Sequence, residues 1–120
     1  MTNNHSPFIK PVIWCADSLR LKIREWPKNV REDAGHELYS LQCGEQPKNF
    51  RPMPTVGLGV NEIRIATKGE QYRLIYVAKF AEAVYVLHVI TKKKTQQTSL
   101  LDLQLAKKRF KAILEGRKNQ

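Results

Sequence analysis

Three consecutive strand-like runs constrain the fold of this chain more than any other feature. They occupy residues 60–66, 71–79 and 83–91 and are rich in β-branched, aromatic and other apolar residues. The segment 67–70 between the first two is predicted to be a hairpin turn in which Gly69 can adopt a positive φ. In the second and third runs, apolar residues occur at both odd and even positions, so we expect both faces of these strands to be covered.

The predicted hairpin gives two arginines an unusual position. If Thr67 and Glu70 form the last pair, Arg64 lies directly opposite Arg73 on one face of the sheet. Like charges opposed across two strands are destabilising, so the pair is expected to surround an anion such as a phosphate. The alternative is a solvated face on which Glu62 is merely the counter-ion of Arg64.

The other elements complete an α+β fold. A strand at 10–15, two helices at about 17–26 and 28–43, and a last helix beginning at Thr98 or Ser99 give the order β-α-α-β-β-β-α. This order predicts a small antiparallel sheet with helices packed against it. Residues 44–59 are predicted to be a loop, and residues 1–9 are expected to be loosely held. At 120 residues, the chain is expected to form a single domain, 1–120.

The basic charge of the chain is concentrated near its C-terminus. The formal net charge is +10, and residues 92–120 contain nine Lys or Arg residues against Asp102 and Glu115. Lys107, Lys108 and Lys111 are predicted to lie away from the apolar stripe of the last helix. A concentrated field of this kind attracts polyanions, whereas charge that serves solubility alone would be spread more evenly.

Cysteine, histidine and hydropathy patterns exclude several classes of protein. Cys15 and Cys43 are too few to form a disulfide framework, and His5, His36 and His88 lack the spacing of metal ligands. We therefore predict no metal and no cofactor. The first residues lack an apolar signal segment, and no run approaches transmembrane length, so we expect a cytoplasmic protein with no membrane partner.

Six short motifs occur in an order that resembles a known family. They are PVIW, LQCGEQP, NEIR, QYRLIYVAK, VYVLHVITKKKTQQT and LDLQLAKKRF. Over residues 10–115 they resemble the phage-derived HigB-like branch of the RelE/ParE toxin superfamily. The resemblance implies a RelE-like microdomain acting as the toxin of a type II toxin-antitoxin system. The implied activity is a ribosome-dependent, metal-independent mRNA endonuclease (mRNA interferase), and the implied partners are mRNA on the ribosome and an antitoxin, commonly a helix-turn-helix protein.

The resemblance also implies roles for individual residues. The phosphate-binding arginines correspond to Arg64 in NEIR and Arg73 in QYR, and the basic residues after the last strand correspond to residues 92–94. Cations aimed at the pentacoordinate phosphate would stabilise the transition state of attack by the RNA 2′-OH, giving a 2′,3′-cyclic phosphate and a 5′-OH. Lys93 is assigned to catalysis. RNA or ribosome binding is assigned to Lys92, Lys94, Lys107, Lys108 and Lys111.

The general base is where this chain departs from the family pattern. Many RelE-type enzymes carry a tyrosine beyond the last strand, whereas this chain has TQQTSLLDL there. Glu62, His88 or one of the lysines is a candidate replacement. A tight turn between Lys79 and Glu82 would place His88 opposite Arg73; the alternative is a histidine paired within the sheet that has no catalytic role.

Two other functions fit the same residues. One is a non-catalytic, basic nucleic-acid-binding phage accessory protein, and the other is a ParE-like toxin that inhibits gyrase. Convergence of the arginines and the lysine run on one face would favour the endonuclease. The missing tyrosine favours the binding protein.

Overall fold

The computed structural model describes residues 9–93 and 97–119, which form five strands and three helices. The predicted α+β class is confirmed. Apart from residue 9, the segment predicted to be loosely held lies outside the described residues. In chain order the elements are β1 (Val12–Trp14), α1 (Asp17–Arg24), α2 (Lys28–Gln42), β2 (Phe50–Pro52), β3 (Val60–Ala66), β4 (Glu70–Val77), β5 (Val84–Lys93) and α3 (Leu100–Lys118).

The five strands form one sheet in the order β1-β5-β4-β3-β2. Neighbouring strands from β2 to β5 are antiparallel, and β1 pairs with β5 in parallel. The prediction of an uninterrupted loop at 44–59 was wrong, because β2 lies within it. All three β2 residues are exposed and one is a proline, so this edge strand has no alternating pattern from which it could be predicted.

Helices cover both faces of the sheet, which confirms the expectation from the apolar runs. On one face α1 and α2 enclose a buried cluster that includes Leu74 and Tyr76. On the opposite face, α3 packs through Ala106 and Phe110 onto Ile75 and its neighbours. Residues of β4 therefore contribute alternately to two separate cores. We call the surface beneath α3 the α3 face.

Local signals end α2 and begin α3 where the sequence predicts. Gly44 follows α2 with a φ of 82°, a left-handed conformation that glycine adopts without a steric cost. The Ser99 hydroxyl caps α3 by accepting a hydrogen bond from the Asp102 backbone N–H at 3.1 Å. Among the described residues, no helix has the combination of length and apolarity needed to span a membrane.

The β3–β4 hairpin has the predicted register but not the predicted turn conformation. The Thr67 N–H donates to the Glu70 carbonyl at 2.9 Å, so these residues close the hairpin. Within the described ranges, only Gly44 and Gly59 have a positive φ, so the turn does not use the positive φ that Gly69 can adopt.

Candidate phosphate-binding site

Arg64 and Arg73 lie directly opposite each other in the β3–β4 ladder, as the sequence predicts. Arg73 also pairs with Ile90 of β5, which belongs to the core beneath α3. Both arginines therefore belong to the α3 face. Adjacent strands are about 4.8 Å apart, so two guanidinium groups in this register concentrate positive charge near the end of the sheet that carries the hairpin turn.

Glu62 is a fully buried carboxylate between these arginines and the core. Its side chain has 0% exposure, and its Oε1 accepts a hydrogen bond from Arg64 Nε. The Oε2 atom has no hydrogen-bond partner among the described residues. The ion pair offsets part of the repulsion between the arginines. Oε2 remains a buried hydrogen-bond acceptor to which no described group donates.

Arg73 is the most deeply buried of the cationic residues at the site, with 3% exposure. Its Nε donates to Gln71 Oε1 at 2.9 Å, and its Nη1 donates to the Thr98 hydroxyl. Burial lowers the pKa of Arg73; the Glu62 carboxylate acts in the opposite direction, and Arg64 and Arg51 lower the pKa further. The guanidinium is therefore a fixed, poorly solvated cation, which interacts more strongly with an anion than a cation in water does.

Arg51 is a site residue that the sequence analysis missed. It pairs with Glu62 in the β2–β3 ladder, so its side chain lies on the α3 face, and its positive charge contributes to the lowered pKa of Arg73. The unusual length of the 44–59 segment was the only sequence signal, because a three-residue strand has no recognisable period. We refer to Arg51, Arg64, Arg73 and Glu62 as the arginine cluster.

His88 lies on the α3 face but not at the predicted position. It pairs with Ile75 rather than with Arg73, which faces Ile90. The connection between β4 and β5 is longer than a tight turn, and the register changes from Ile75–His88 to Tyr76–Val86, leaving Leu87 as an extra residue. The longer connection and the extra residue each shift β5 by one residue relative to β4, so His88 lies two residues from its predicted position. Because side chains alternate along a strand, a shift of two residues keeps His88 on the same face.

Both ring nitrogens of His88 are occupied. Arg109 Nη1 donates to Nδ1 at 2.7 Å, and Nε2 lies 2.8 Å from Asp102 Oδ1. Because arginine is only a donor, Nδ1 must accept, and the proton of a neutral ring lies on Nε2. Burial lowers the pKa of His88; hydrogen bonding to Asp102 opposes this shift, and Arg109 reinforces it.

The lysines assigned from the sequence lie in different places. Lys92 pairs with Gln71 on the α3 face, and its Nζ is 3.4 Å from Asp102 Oδ2. Lys93 is the next residue, so strand alternation places it on the opposite face. Lys94 lies outside the described residues. The three helix lysines are exposed on α3, as predicted: Lys107, Lys108 and Lys111.

Asp102 connects the N-terminal end of α3 to this face of the sheet. Its Oδ2 accepts a hydrogen bond from the Ser99 hydroxyl at 2.7 Å, while its Oδ1 contacts His88. Burial alone would raise the pKa of Asp102, but the hydrogen bonds from His88 and Ser99 outweigh it and hold the pKa below its usual value. This carboxylate therefore remains ionised and fixes α3 relative to β5.

Comparison with known proteins gives one family match. A family model described as phage-derived protein Gp49-like (DUF891) matches residues 22–111, which include the arginine cluster, β5 and most of α3. No curated protein matches the chain.

Proposed function

The chain belongs to the phage-derived Gp49-like family, part of the RelE/HigB-like toxin group, and on this basis we propose that it is a toxin that cleaves mRNA on the ribosome. The observation that carries the proposal is the register of the hairpin. It opposes Arg64 and Arg73 on one face, with the buried Glu62 carboxylate beside them. Such a group of fixed charges suits a phosphate that gains negative charge during a reaction.

The proposed reaction is an in-line displacement within the RNA. The 2′ oxygen forms a bond to phosphorus while the bond from phosphorus to the 5′ oxygen breaks, leaving a 2′,3′-cyclic phosphate and a 5′-OH. Arg64 and Arg73 hold the non-bridging oxygens and stabilise their added charge. The 2′-OH gives up one proton, and the departing 5′ oxygen takes up one proton, so both transfers need a group at the site.

Glu62 is the proposed acceptor of the 2′-OH proton. Because its side chain has 0% exposure, the RNA reaches it only when the side chains that cover it move. Its Oε2 has no hydrogen-bond partner among the described residues, whereas both nitrogens of His88 are engaged by Arg109 and Asp102. His88 is then a positioning residue that connects β5 to α3. Lys92 is proposed to supply the proton for the departing oxygen, since it shares the α3 face with Arg73.

The remaining lysines are proposed to bind RNA or the ribosome without taking part in chemistry. Lys93 lies near the end of β5, and residues 107, 108 and 111 present charge along the exposed side of α3. The proposed site of action is the cytoplasm, where ribosomes are found. Membership of a toxin group suggests an antitoxin partner, for which we propose a helix-turn-helix protein.

Induced expression in the absence of a partner tests the proposal. We expect growth and translation to stop and reporter mRNA to show new 5′ ends at positions within codons, whereas the Arg73→Ala protein at equal abundance should produce neither effect. Normal growth and intact mRNA at high expression of the folded wild-type protein would overturn the proposed function.

One observation favours a non-catalytic RNA-binding protein as a second candidate. Arg73 has only 3% exposure and is hydrogen-bonded to Thr98, so a phosphate reaches it only if Thr98 moves away. A binding protein would use Arg51 and Arg64 without this movement. Binding of RNA by the pure protein, together with unchanged RNA length on translating ribosomes, would select this second function.

A further inference from the structure

One basic residue from each of the four antiparallel strands lies on the α3 face. The register places Arg51 of β2 opposite Glu62, Arg64 opposite Arg73, and Lys92 of β5 opposite Gln71. Arg51 is level with Glu62, which is two residues before Arg64, and Lys92 is level with Gln71, which is two residues from Arg73. The basic residues therefore shift in one direction along the strands from β2 to β5. They form a diagonal line across the sheet, which we call the diagonal track: Arg51, Arg64, Arg73 and Lys92.

The dimensions of the diagonal track suit several phosphates rather than one. Strands are about 4.8 Å apart and rise about 3.4 Å per residue, so the Cα atoms of Arg51 and Arg64 are roughly 8 Å apart. By the same spacing, the whole track from Arg51 to Lys92 covers roughly 20 Å. Arg64 and Arg73, on adjacent strands in the same register, are the two members close enough to share a single phosphate.

Burial and pairing indicate where a polyanion first meets the diagonal track. Arg51 is exposed, the Arg64 side chain has 27% exposure, and Arg73 has 3%. Arg64 is already paired with Glu62, whereas no described hydrogen bond or ion pair involves the Arg51 side chain. Arg51 is thus the accessible cation at the β2 edge, and Arg64 and Arg73 are successively less hydrated. Lys92, at the other end of the track, is again partly accessible, with 23% side-chain exposure.

We propose that Arg51 binds the RNA phosphate next to the one held by Arg64 and Arg73, so that the RNA backbone crosses the strands diagonally from β2 to β5. Lys92, the proposed proton donor to the departing oxygen, then lies beyond the scissile phosphate, where its ammonium group also contacts the next phosphate. This inference rests on the proposed function for the identity of the scissile phosphate. The path of the RNA depends instead on the positions of the four cations and on the displacement of Thr98 from Arg73.

Salt-dependent binding of a non-cleavable RNA tests the diagonal track. The probe is a fluorescent single-stranded RNA of ten nucleotides with 2′-O-methyl groups, and the measurement is anisotropy at increasing salt concentration. Each lost contact to a single-stranded phosphate should reduce the slope of log K against log salt by about 0.7. We therefore expect a reduction of this size for Arg51→Ala and for Lys92→Ala, and about twice this reduction for the double variant.

The control is Arg31→Ala, which removes an exposed arginine from α2, the helix that packs on the opposite face of the sheet. It should retain the wild-type slope. The proposal is overturned if the wild-type protein does not bind the probe, if Arg51→Ala has the wild-type slope, or if the double variant loses no more than one single variant. Thermal unfolding checks that the variants are folded, and Arg51→Gln replaces Arg51→Ala if the alanine variant is not.

The outcome is separable from that of the proposed function because the probe cannot be cleaved. If wild-type protein leaves translated mRNA intact but the slopes change as expected, the endonuclease proposal fails and the diagonal track stands. If mRNA is cleaved but Arg51→Ala binds and cleaves like the wild type, the endonuclease stands and the track is wrong.

Discussion

Arg109 donates a hydrogen bond to His88 Nδ1 at 2.7 Å, which makes the neutral form of this buried histidine the compatible one. A proton on Nδ1 would face the Arg109 guanidinium. This geometry agrees with the lowered pKa of His88, caused first by burial and opposed by Asp102. It also explains why the ring is better suited to joining α3 and β5 than to transferring protons.

The stability of the protein should therefore fall as the pH falls below the ordinary His88 pKa of 6.5. Because the folded-state pKa is the lower one, the unfolded chain binds the proton more readily, and stability is greatest above 6.5. We expect His88→Gln to have a lower unfolding temperature at pH 7.5 but a flatter decline between pH 7 and 5. His36→Gln, which changes an exposed histidine on α2, is the control and should follow the wild-type slope. A wild-type slope in the His88→Gln protein would contradict this account.

Arg73→Ala should remove measurable cleavage, and Arg64→Ala should weaken it. Loss of a group that stabilises transition-state charge costs about 2–4 kcal/mol in the barrier, or roughly 30-fold to 1,000-fold in rate. Primer extension on mRNA in a translating extract measures the rate. Since Arg73 is buried, Arg73→Gln is the matched variant, because it retains a polar side chain near Thr98. Cleavage at the wild-type rate by folded Arg73→Gln would exclude this arginine from catalysis.

Glu62→Gln should separate chemistry from binding. Glutamine keeps the size of the side chain but cannot take the 2′-OH proton, and loss of a general base typically reduces the rate by about 10²–10⁴-fold. Removal of a negative charge from the arginine cluster should leave binding of the 2′-O-methyl RNA as strong as in the wild type, or stronger. Weakened RNA binding that accompanies the fall in rate would instead indicate that Glu62 acts only by holding Arg64 in place.

Gly57→Ala should destabilise the fold by disturbing the core beneath α3. A Cβ atom at Gly57 would overlap the ring of Phe110, which is buried in that core. Overpacking of this kind costs typically about 1–3 kcal/mol. Gly35→Ala in α2 is the control: nothing lies within 4 Å of the added atom, and alanine in a helix is favoured by about 1 kcal/mol. Urea denaturation of both variants measures the two effects, and an unchanged midpoint for Gly57→Ala would refute the expected clash.

The sequence by itself determined the elements whose geometry is local. The hairpin at 67–70 sets the register of β3 and β4, so the opposition of Arg64 and Arg73 could be predicted without any other part of the fold. Apolar runs at both parities likewise predicted two covered faces. In each case the residues that determine the geometry lie within a few positions of one another in the sequence. Turn propensity and the periodicity of apolar residues can therefore predict that geometry.

Tertiary structure alone decided the surroundings of the arginines. Arg51 reaches the α3 face because β2 pairs with β3, and a three-residue exposed strand forms through that pairing rather than through its own pattern. His88 is placed by the longer β4–β5 connection and by the extra residue Leu87, whose carbonyl accepts a hydrogen bond from Arg109 at 2.9 Å. A bulge and an edge strand depend on partners far away in the chain. The free-energy cost of forming them is offset only when those partners pack against them, so no local sequence pattern specifies them.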